Sequence, residues 1–144
     1  MTTRAEFVNE ARRWVGTRWR HQGRTLGTGV DCVGIVTQTV RAVGPLPPEV
    51  IDRLESDVSG YARDATDMLR MTCDKYMRRV PASEAQPGDV ILIRFNGKPQ
   101  HIAILSEHAG ESYLIHALGL ARRVVEQRFD SVWRARVAIY YTVF

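Results

Sequence analysis

One cysteine of this chain lies in a setting that favours nucleophilic chemistry. Residues 29–34 read Gly-Val-Asp-Cys-Val-Gly, so Cys32 follows a glycine-rich segment and stands at the predicted start of a helix. The unpaired backbone N–H groups and the dipole of a helix N-terminus favour a thiolate over a thiol. Cys32 is therefore a candidate nucleophile, although a buried structural cysteine on an apolar helix fits the same pattern equally well.

Four histidines are available as the base that a cysteine nucleophile needs. His101 begins one predicted strand and His116 ends the next, and a short hairpin joins the two strands. Antiparallel pairing brings these positions together, so one imidazole can act as the base for Cys32 while the other orients it. Each ring can instead be a half-buried side chain satisfied within the sheet. His108 is predicted to be exposed in the hairpin, and His21 lies in the glycine-rich segment.

The second cysteine, Cys73, falls inside a predicted helix with no glycine-rich approach, and packing is its better interpretation. Two cysteines without a Cys-x-x-Cys pair make a structural zinc site improbable. We expect no metal and no organic cofactor.

Two helices are predicted in the first third of the chain. Thr3 and Glu6 have the spacing of a capping box, which begins a helix over about residues 3–15. Residues 16–30 contain four glycines and no apolar period, which predicts a loop close to another backbone segment. Asp31 then caps a second, buried helix that ends before residues 44–45, a Gly-Pro pair.

The rest of the chain changes from helix to strand. Residues 45–85 form a variable helical insert, in which one helix is predicted between Asp64 and Val80. Gly residues in two turns, at residues 96–97 and 109–110, predict hairpins. Five strands are predicted, over residues 90–95, 101–105, 112–116, 123–126 and 137–141. The sequence therefore predicts an α+β fold with helices packed on an antiparallel sheet of about five strands.

Length and charge restrict the class of protein. The 144 residues fit a single domain spanning 1–144, and no apolar run approaches the ~20 residues of a membrane span. The start of the chain does not resemble a signal peptide, so synthesis and folding in the cytoplasm are expected. The net charge is +4, and arginine supplies 18 of the 20 basic residues. Basic residues are in excess in residues 1–43 and 91–144, which favours an anionic ligand at a site built by both ends. Nucleic-acid binding is not indicated.

The order of these motifs resembles that of the NlpC-type cysteine peptidases of the bacterial cell wall. The resemblance covers about residues 5–140 and is carried by the glycine-rich segment, by Asp-Cys at 31–32, by Pro-Gly-Asp at 87–89 and by the two histidine strands. The branch that it resembles most is the phage and gene-transfer-agent cell wall peptidases.

This resemblance implies a papain-like fold and hydrolysis of an amide in peptidoglycan stem peptides, usually after the γ-carboxyl of D-Glu and before diaminopimelate. It implies that Cys32 is the nucleophile, His101 the base and His116 the orienting residue. Trp19 stands where many members have a tyrosine, and Val33 where a serine is frequent. Six residues are candidates for substrate binding: Arg18, Trp19, Arg20, His21, Arg24 and Asp31.

Three functions remain open from the sequence. The first is a cysteine endopeptidase that acts on stem peptides, with phage-like tail proteins as partners and with incorporation into a particle that acts at the cell wall. The second is a structural or assembly component of a phage-like tail, with a weakly active or inactive hydrolase fold. The third is a thiol amidase or acyltransferase that uses the same residues on another substrate.

Overall fold

The computed structural model describes residues 2–58 and 66–144. Among these residues, five α-helices accompany a six-stranded sheet and a short two-stranded one. The helices are α1 (Arg4–Arg12), α2 (Cys32–Val43), α3 (Pro48–Val58), α4 (Thr66–Tyr76) and α5 (Ser131–Ala135). The predicted α+β class is confirmed.

All neighbouring strands of the large sheet are antiparallel, in the order β3-β8-β4-β5-β6-β7. The small sheet pairs β1 (Arg24–Thr25) with β2 (Gly29–Val30). The strands of the large sheet are β3 (Arg78–Val80), β4 (Val90–Phe95), β5 (Lys98–His108), β6 (Glu111–Leu118), β7 (Arg123–Arg128) and β8 (Val137–Thr142). The two predicted hairpins join β4 to β5 and β5 to β6, with positive φ at Asn96, Gly97, Ala109 and Gly110.

Apolar side chains are buried on both faces of the sheet. On one face, Leu92, Ile102 and Ile104 pack in a cluster with residues of α1, α2, α3 and α4. On the other face, Ile91 and Ile93 pack with α5 through Trp133 and with other strand residues. Alternate residues of β4 point to opposite faces, so a continuous apolar run fills both layers.

Local capping explains where the first two helices begin. The Thr3 hydroxyl accepts from the N–H of Glu6, and the Glu6 carboxylate accepts from the N–H of Thr3, which completes the predicted capping box. The Asp31 carboxylate accepts from the N–H of Gly34, so α2 begins at Cys32 as expected. Cys32 thus occupies the first turn of a largely buried helix.

The Pro-Gly-Asp segment before β4 has a structural role in the fold. Asp89 is fully buried and accepts hydrogen bonds from Arg4 and from the backbone N–H of Gln86. The N–H of Gly88, at a positive φ, donates to the carbonyl of Leu105. These contacts join α1 to the N-terminal end of β4 and fix the position at which this central strand begins.

The insert differs from the prediction. It contains two helices where one was expected, because Pro48 begins α3 and Ile51 and Val58 bury its apolar face. The predicted helix ends at Tyr76, and residues 78–80 form β3 beside β8. Its predicted start at Asp64 lies outside the described residues.

The glycine-rich loop is packed tightly, as its composition predicts. A Cβ added at Gly23 would lie 2.6 Å from the carbonyl carbon and oxygen of Gly29, and one at Gly34 would lie 2.6 Å from the carbonyl oxygen of Gly23. The loop also contains β1 and β2, which sequence patterns did not predict. Three glycines therefore let the loop fold against the first turn of α2.

Replacing Gly23 with alanine is expected to destabilise the protein by about 2–3 kcal/mol, because its Cβ would overlap backbone atoms that cannot move independently. Urea unfolding measures the effect. Gly119→Ala is the matched control, since its Cβ would meet the Trp19 ring at an ordinary 3.8 Å. Equal destabilisation of the two variants would contradict the role assigned to the close approach at Gly23.

Candidate active site

His101 of β5 and His116 of β6 form a directed chain of hydrogen bonds with Gln127 of β7. The Nε2 of His101 lies 2.7 Å from the Nδ1 of His116, and the Nε2 of His116 lies 3.0 Å from the Oε1 of Gln127. His116 is fully buried and His101 nearly so. The predicted proximity of the two imidazoles is confirmed, and the structure adds a third member that links three adjacent strands.

The chemistry of these groups fixes the direction of the chain. An amide oxygen only accepts hydrogen bonds, so the Nε2 of His116 carries a proton and donates it to Gln127. In a neutral ring, the Nδ1 of His116 is then an acceptor, and the Nε2–H of His101 donates to it. The remaining nitrogen of His101, Nδ1, is left unprotonated. This arrangement presents one basic lone pair for proton transfer.

Aromatic side chains surround the two imidazoles and keep them neutral. Phe95 stacks on His101 with ring centroids 5.0 Å apart, and Trp133 meets His116 edge-on at the same centroid distance. Burial, and then the neighbouring His116, hold the pKa of His101 well below its usual range. Burial likewise lowers the pKa of His116 to about 4, against the opposing effect of the Gln127 hydrogen bond. Both rings are therefore neutral at pH 7.

Cys32 lies beside the start of β5, where β5 and β6 separate. The β5–β6 pairing covers Ile104–His108, so Ile102 precedes it. The sulfur of Cys32 receives hydrogen bonds from the backbone of Ile102 and Val33. Ile102 follows His101 directly, so Cys32 of α2 contacts β5 one residue away from the histidine. Cys32 is half-buried, so part of its surface remains accessible.

The thiol is not activated in this arrangement, in contrast to the expectation drawn from the helix start. Burial, and then the negative charge of Asp31, raise the pKa of Cys32 to about 12, and the hydrogen bonds from Ile102 and Val33 only partly oppose this. Among the described hydrogen bonds of His101, the partner is His116 and not the thiol. At neutral pH the pair is therefore a thiol and a neutral imidazole.

The backbone N–H groups at the start of α2 belong to the same turn as the Cys32 sulfur. The first intrahelical hydrogen bond runs from the N–H of Ile35 to the carbonyl of Asp31, so the N–H groups of Cys32 and Val33 precede the helical ladder, and that of Val33 donates to the Cys32 sulfur. Such groups can stabilise negative charge that develops on an oxygen beside the sulfur. The position of the Cys32 N–H is thus compatible with an oxyanion contact.

Two of the candidates for substrate binding make several contacts within the protein. Asp31 is 3% exposed, and its carboxylate accepts from the backbone N–H of Gln22, from the N–H of Gly34 and from the guanidinium of Arg24. Arg24 also pairs with Glu55 of α3 at 3.4 Å. These contacts of Arg24 and Asp31 hold the loop, α2 and α3 together and thereby position Cys32.

The other loop candidates lie on or near the surface. Arg18 and Arg20 are exposed, and His21 is half-buried. Trp19 is half-buried, and its ring lies next to Gly119 just beyond β6. The backbone of the loop is joined to the same region, because the N–H of Trp19 donates to the carbonyl of Arg122. The structure thus places Trp19 beside the strand that carries His116.

The remaining candidates lie away from this site. His108 is half exposed and contacts Glu126 at 3.0 Å, as expected for a hairpin residue. Cys73 is 3% exposed and packs in the apolar cluster under α2, which confirms its interpretation as a packing residue. Among residues 2–58 and 66–144, no cluster of three or more His, Cys, Asp or Glu side chains could hold a metal ion. The described helices include none long and apolar enough to cross a membrane.

Gln127 was not recognised from the sequence. The predicted strand ended at residue 126, two positions too early, and β7 extends to Arg128. Gln127 pairs with Leu114, which shares a strand face with His116, so the register brings its amide to the ring. A polar residue at the end of a strand that pairs with a histidine strand is the signal that sequence reasoning missed.

Replacing Gln127 with leucine is expected to lower kcat for any His101-dependent reaction about 10-fold, with little change in KM, because the buried Nε2–H of His116 loses its acceptor. Gln127→Glu, which keeps an acceptor oxygen, is expected to restore most of the activity. Steady-state kinetics and the acid limb of the pH profile measure both variants. An unchanged kcat in Gln127→Leu would show that the third member does not orient the imidazoles.

The fold is similar to that of several solved structures. The NlpC/p60 domain of the peptidoglycan hydrolase SagA has a TM-score of 0.65 and 20% identity, over 98% of this chain and 99% of that one. The peptidoglycan hydrolase RipB from Mycobacterium tuberculosis has a TM-score of 0.63 and 19% identity over 98% of this chain, which spans 64% of RipB. At this identity the similarity shows the fold alone.

A third similar structure differs from these two in activity. RipD from Mycobacterium tuberculosis, with a TM-score of 0.57 and 13% identity over 99% of this chain and 97% of that one, is described as a non-catalytic NlpC/p60 domain protein adapted to peptidoglycan binding. A comparison with curated proteins gives no match. The sequence profile of the NlpC/P60 family matches residues 16–141, which contain Cys32 and the histidine chain, and the protein belongs to the NlpC/P60 family.

Proposed function

We propose that this protein is a cysteine peptidase that hydrolyses an amide bond in peptidoglycan stem peptides, on the γ-carboxyl side of D-Glu and before a diamino acid. The observation that carries the proposal is the directed chain through Gln127, His116 and His101, which leaves a basic nitrogen one residue away from the strand position that contacts Cys32. Family membership supports the substrate class, since RipB and SagA are both described as peptidoglycan hydrolases.

The reaction follows from the protonation states. The Nδ1 of His101 takes the proton of the Cys32 thiol as the sulfur attacks the amide carbonyl, and an S–C bond forms. The oxyanion is stabilised by the Cys32 N–H. The imidazolium of His101 then gives its proton to the leaving amine, the C–N bond breaks, and a thioester remains. Water, deprotonated by the same imidazole, hydrolyses the thioester and regenerates the thiol.

A neutral Cys32 thiol and a neutral His101 imidazole are consistent with this sequence of steps. Because burial raises the pKa of Cys32 and lowers that of His101, proton transfer in the empty site is uphill. Formation of the C–S bond removes the thiolate charge and places it on the carbonyl oxygen, beside the helix N-terminus. We infer that proton transfer and attack are coupled, so that the thiol becomes reactive only toward a correctly positioned carbonyl.

Digestion of purified muropeptides tests the proposal. The wild-type protein is expected to cut each stem peptide into two fragments, whose summed mass equals that of the intact peptide plus one water. The fragment masses are expected to locate the cut at the γ-D-Glu amide. Mass spectrometry identifies the fragments, and stems of both diaminopimelate and lysine type resolve the diamino acid. Intact stems of both types after prolonged incubation would reject the hydrolase assignment.

A non-catalytic role is the second candidate, because a thiol pKa raised to about 12 and an imidazole whose described hydrogen bond goes to His116 also fit a site that binds without cutting. RipD is described as such a member of the family. This candidate predicts that intact stem peptides bind to the wild-type protein and are recovered unchanged. Equilibrium binding and digestion on the same sample separate the two functions.

We also propose that the protein acts as part of a phage tail or gene-transfer-agent particle, synthesised in the cytoplasm and delivered to the cell wall. The support is the resemblance of its motif order to that branch. Affinity capture from particle-producing cells, with tail proteins as the expected partners, tests this context. Recovery of the protein free of particle proteins would contradict it.

A further inference from the structure

An open groove of about 630 Å³ lies at the end of the sheet that carries the two histidines. It is lined by residues from β4, from the start of β5, from the end of β6 and from the segment before β8. The lining residues include Arg94, Phe95, Gln100, Leu118, Gly119 and Arg136. The loop residue Trp19 borders the groove at Gly119.

The groove has two guanidinium groups that are held in place and that form no ion pair with the residues the structure describes. The Nη1 of Arg94 donates to the carbonyl of Val137 at 3.0 Å, and the guanidinium of Arg136 lies 5.1 Å from the ring centroid of Trp133. Within the part of the chain that the structure describes, no carboxylate oxygen lies within 4.0 Å of either group. Their remaining N–H groups are therefore available for an anion, and arginine is suited to bidentate binding of a carboxylate.

The groove borders the imidazole side of the candidate active site. Phe95 lines the groove and stacks on His101, and Gln100 is the residue before His101. Leu118 follows His116 by two positions on β6. A leaving amine must lie within hydrogen-bond reach of His101 to receive its proton. The half of the substrate that leaves as an amine therefore extends on this side of Cys32.

We propose that this groove binds the leaving half of the substrate and that Arg94 and Arg136 recognise a free carboxylate on its diamino acid or on the residue after it. This inference rests on the proposed peptidase function and assigns a source of its specificity. The excess of basic residues at both ends of the chain indicates an anionic ligand, and this groove provides a site for it. The site does not need Arg24, because the guanidinium of Arg24 is bound to Asp31 and Glu55.

A pair of peptides that differ only in charge tests the assignment. One is the tripeptide L-Ala-γ-D-Glu-diaminopimelate with both diaminopimelate carboxylates free, and the other has both as carboxamides. Binding is measured by calorimetry in the inactive Cys32→Ala background, and cleavage is measured in the wild-type background. The double variant R94Q/R136Q removes the two guanidinium groups of the groove. The control R13Q/R128Q removes the same charge from two exposed arginines that pair with Glu10 and Glu111.

Tighter binding of the free acid than of the diamide, by about 10-fold, is expected in the Cys32→Ala background and in its R13Q/R128Q variant. R94Q/R136Q is expected to bind both peptides equally. No binding of either peptide, no preference, or the same preference in R94Q/R136Q overturns the inference. Failure of the wild-type protein to cleave either peptide rejects the peptidase function separately, because the binding comparison does not depend on turnover.

Discussion

Replacing Cys32 with alanine is expected to lower kcat/KM for stem-peptide cleavage by about four orders of magnitude or more, because the other thiol of the chain, Cys73, is buried in the apolar cluster and cannot form the thioester. The substitution removes a half-buried sulfur at the first turn of α2 and leaves the Asp31 cap in place, so the fold is expected to persist. Binding of the uncut peptide is expected to remain, since contacts outside the sulfur are unchanged. Single-turnover cleavage and circular dichroism measure the two effects.

Cys73→Ala is the matched control for this variant. It removes the other thiol of the chain from the apolar cluster under α2, at a cost of about 1 kcal/mol of stability, and is expected to leave the cleavage rate unchanged. Cleavage that survives in Cys32→Ala but is lost in Cys73→Ala would exclude the proposed nucleophile. If the wild-type protein is itself inactive, the comparison supports the non-catalytic candidate.

The parts of the fold that sequence predicted well depend on neighbouring residues. The bounds of β4 and the hairpins on either side of β5 follow from an apolar run and from turns at Asn96-Gly97 and Ala109-Gly110. The contact between His101 and His116 follows from the same hairpin, because the short turn sets which ends of two strands meet. Local chemistry was enough to predict that these two rings are neighbours.

The parts that sequence missed depend on contacts between distant segments. Gln127 reaches His116 only through the register of β7 against β6, and β7 follows a connection that no turn signal specifies. α3 begins at Pro48, before the single helix that was predicted in the insert, although Ile51 and Val58 lie on one helix face. α5 has five residues, which is too few for a detectable period.

Reactivity was the least predictable property. The helix start at Cys32 indicates a lowered thiol pKa, whereas burial and the charge of Asp31 raise it. The Asp31 carboxylate is buried and accepts hydrogen bonds from the loop and from Arg24. The burial and the charges around Cys32 arise only when the loop packs on α2. The spacing of residue types therefore does not predict the net shift of the thiol pKa.

The second large effect concerns His101 and pH. Replacing His101 with alanine is expected to lower kcat about 10³-fold, because it removes both the base and the acid of the reaction. Burial lowers the pKa of His101, and a base with a lowered pKa stays neutral as the pH falls. The acid limb of kcat/KM for the wild-type protein is therefore expected below pH 6.5, the usual value for histidine. A profile from pH 4 to pH 9 measures it.

Alkylation of Cys32 by iodoacetamide tests the protonation states without turnover. With the thiol pKa raised to about 12 and both imidazoles neutral, the rate is expected to rise continuously from neutral pH to above about pH 9, with no plateau on the acid side. A preformed thiolate–imidazolium pair would instead give a plateau between about pH 4 and pH 8 that disappears in His101→Ala. That plateau would contradict a site in which the sulfur gains its charge only as it attacks the substrate carbonyl.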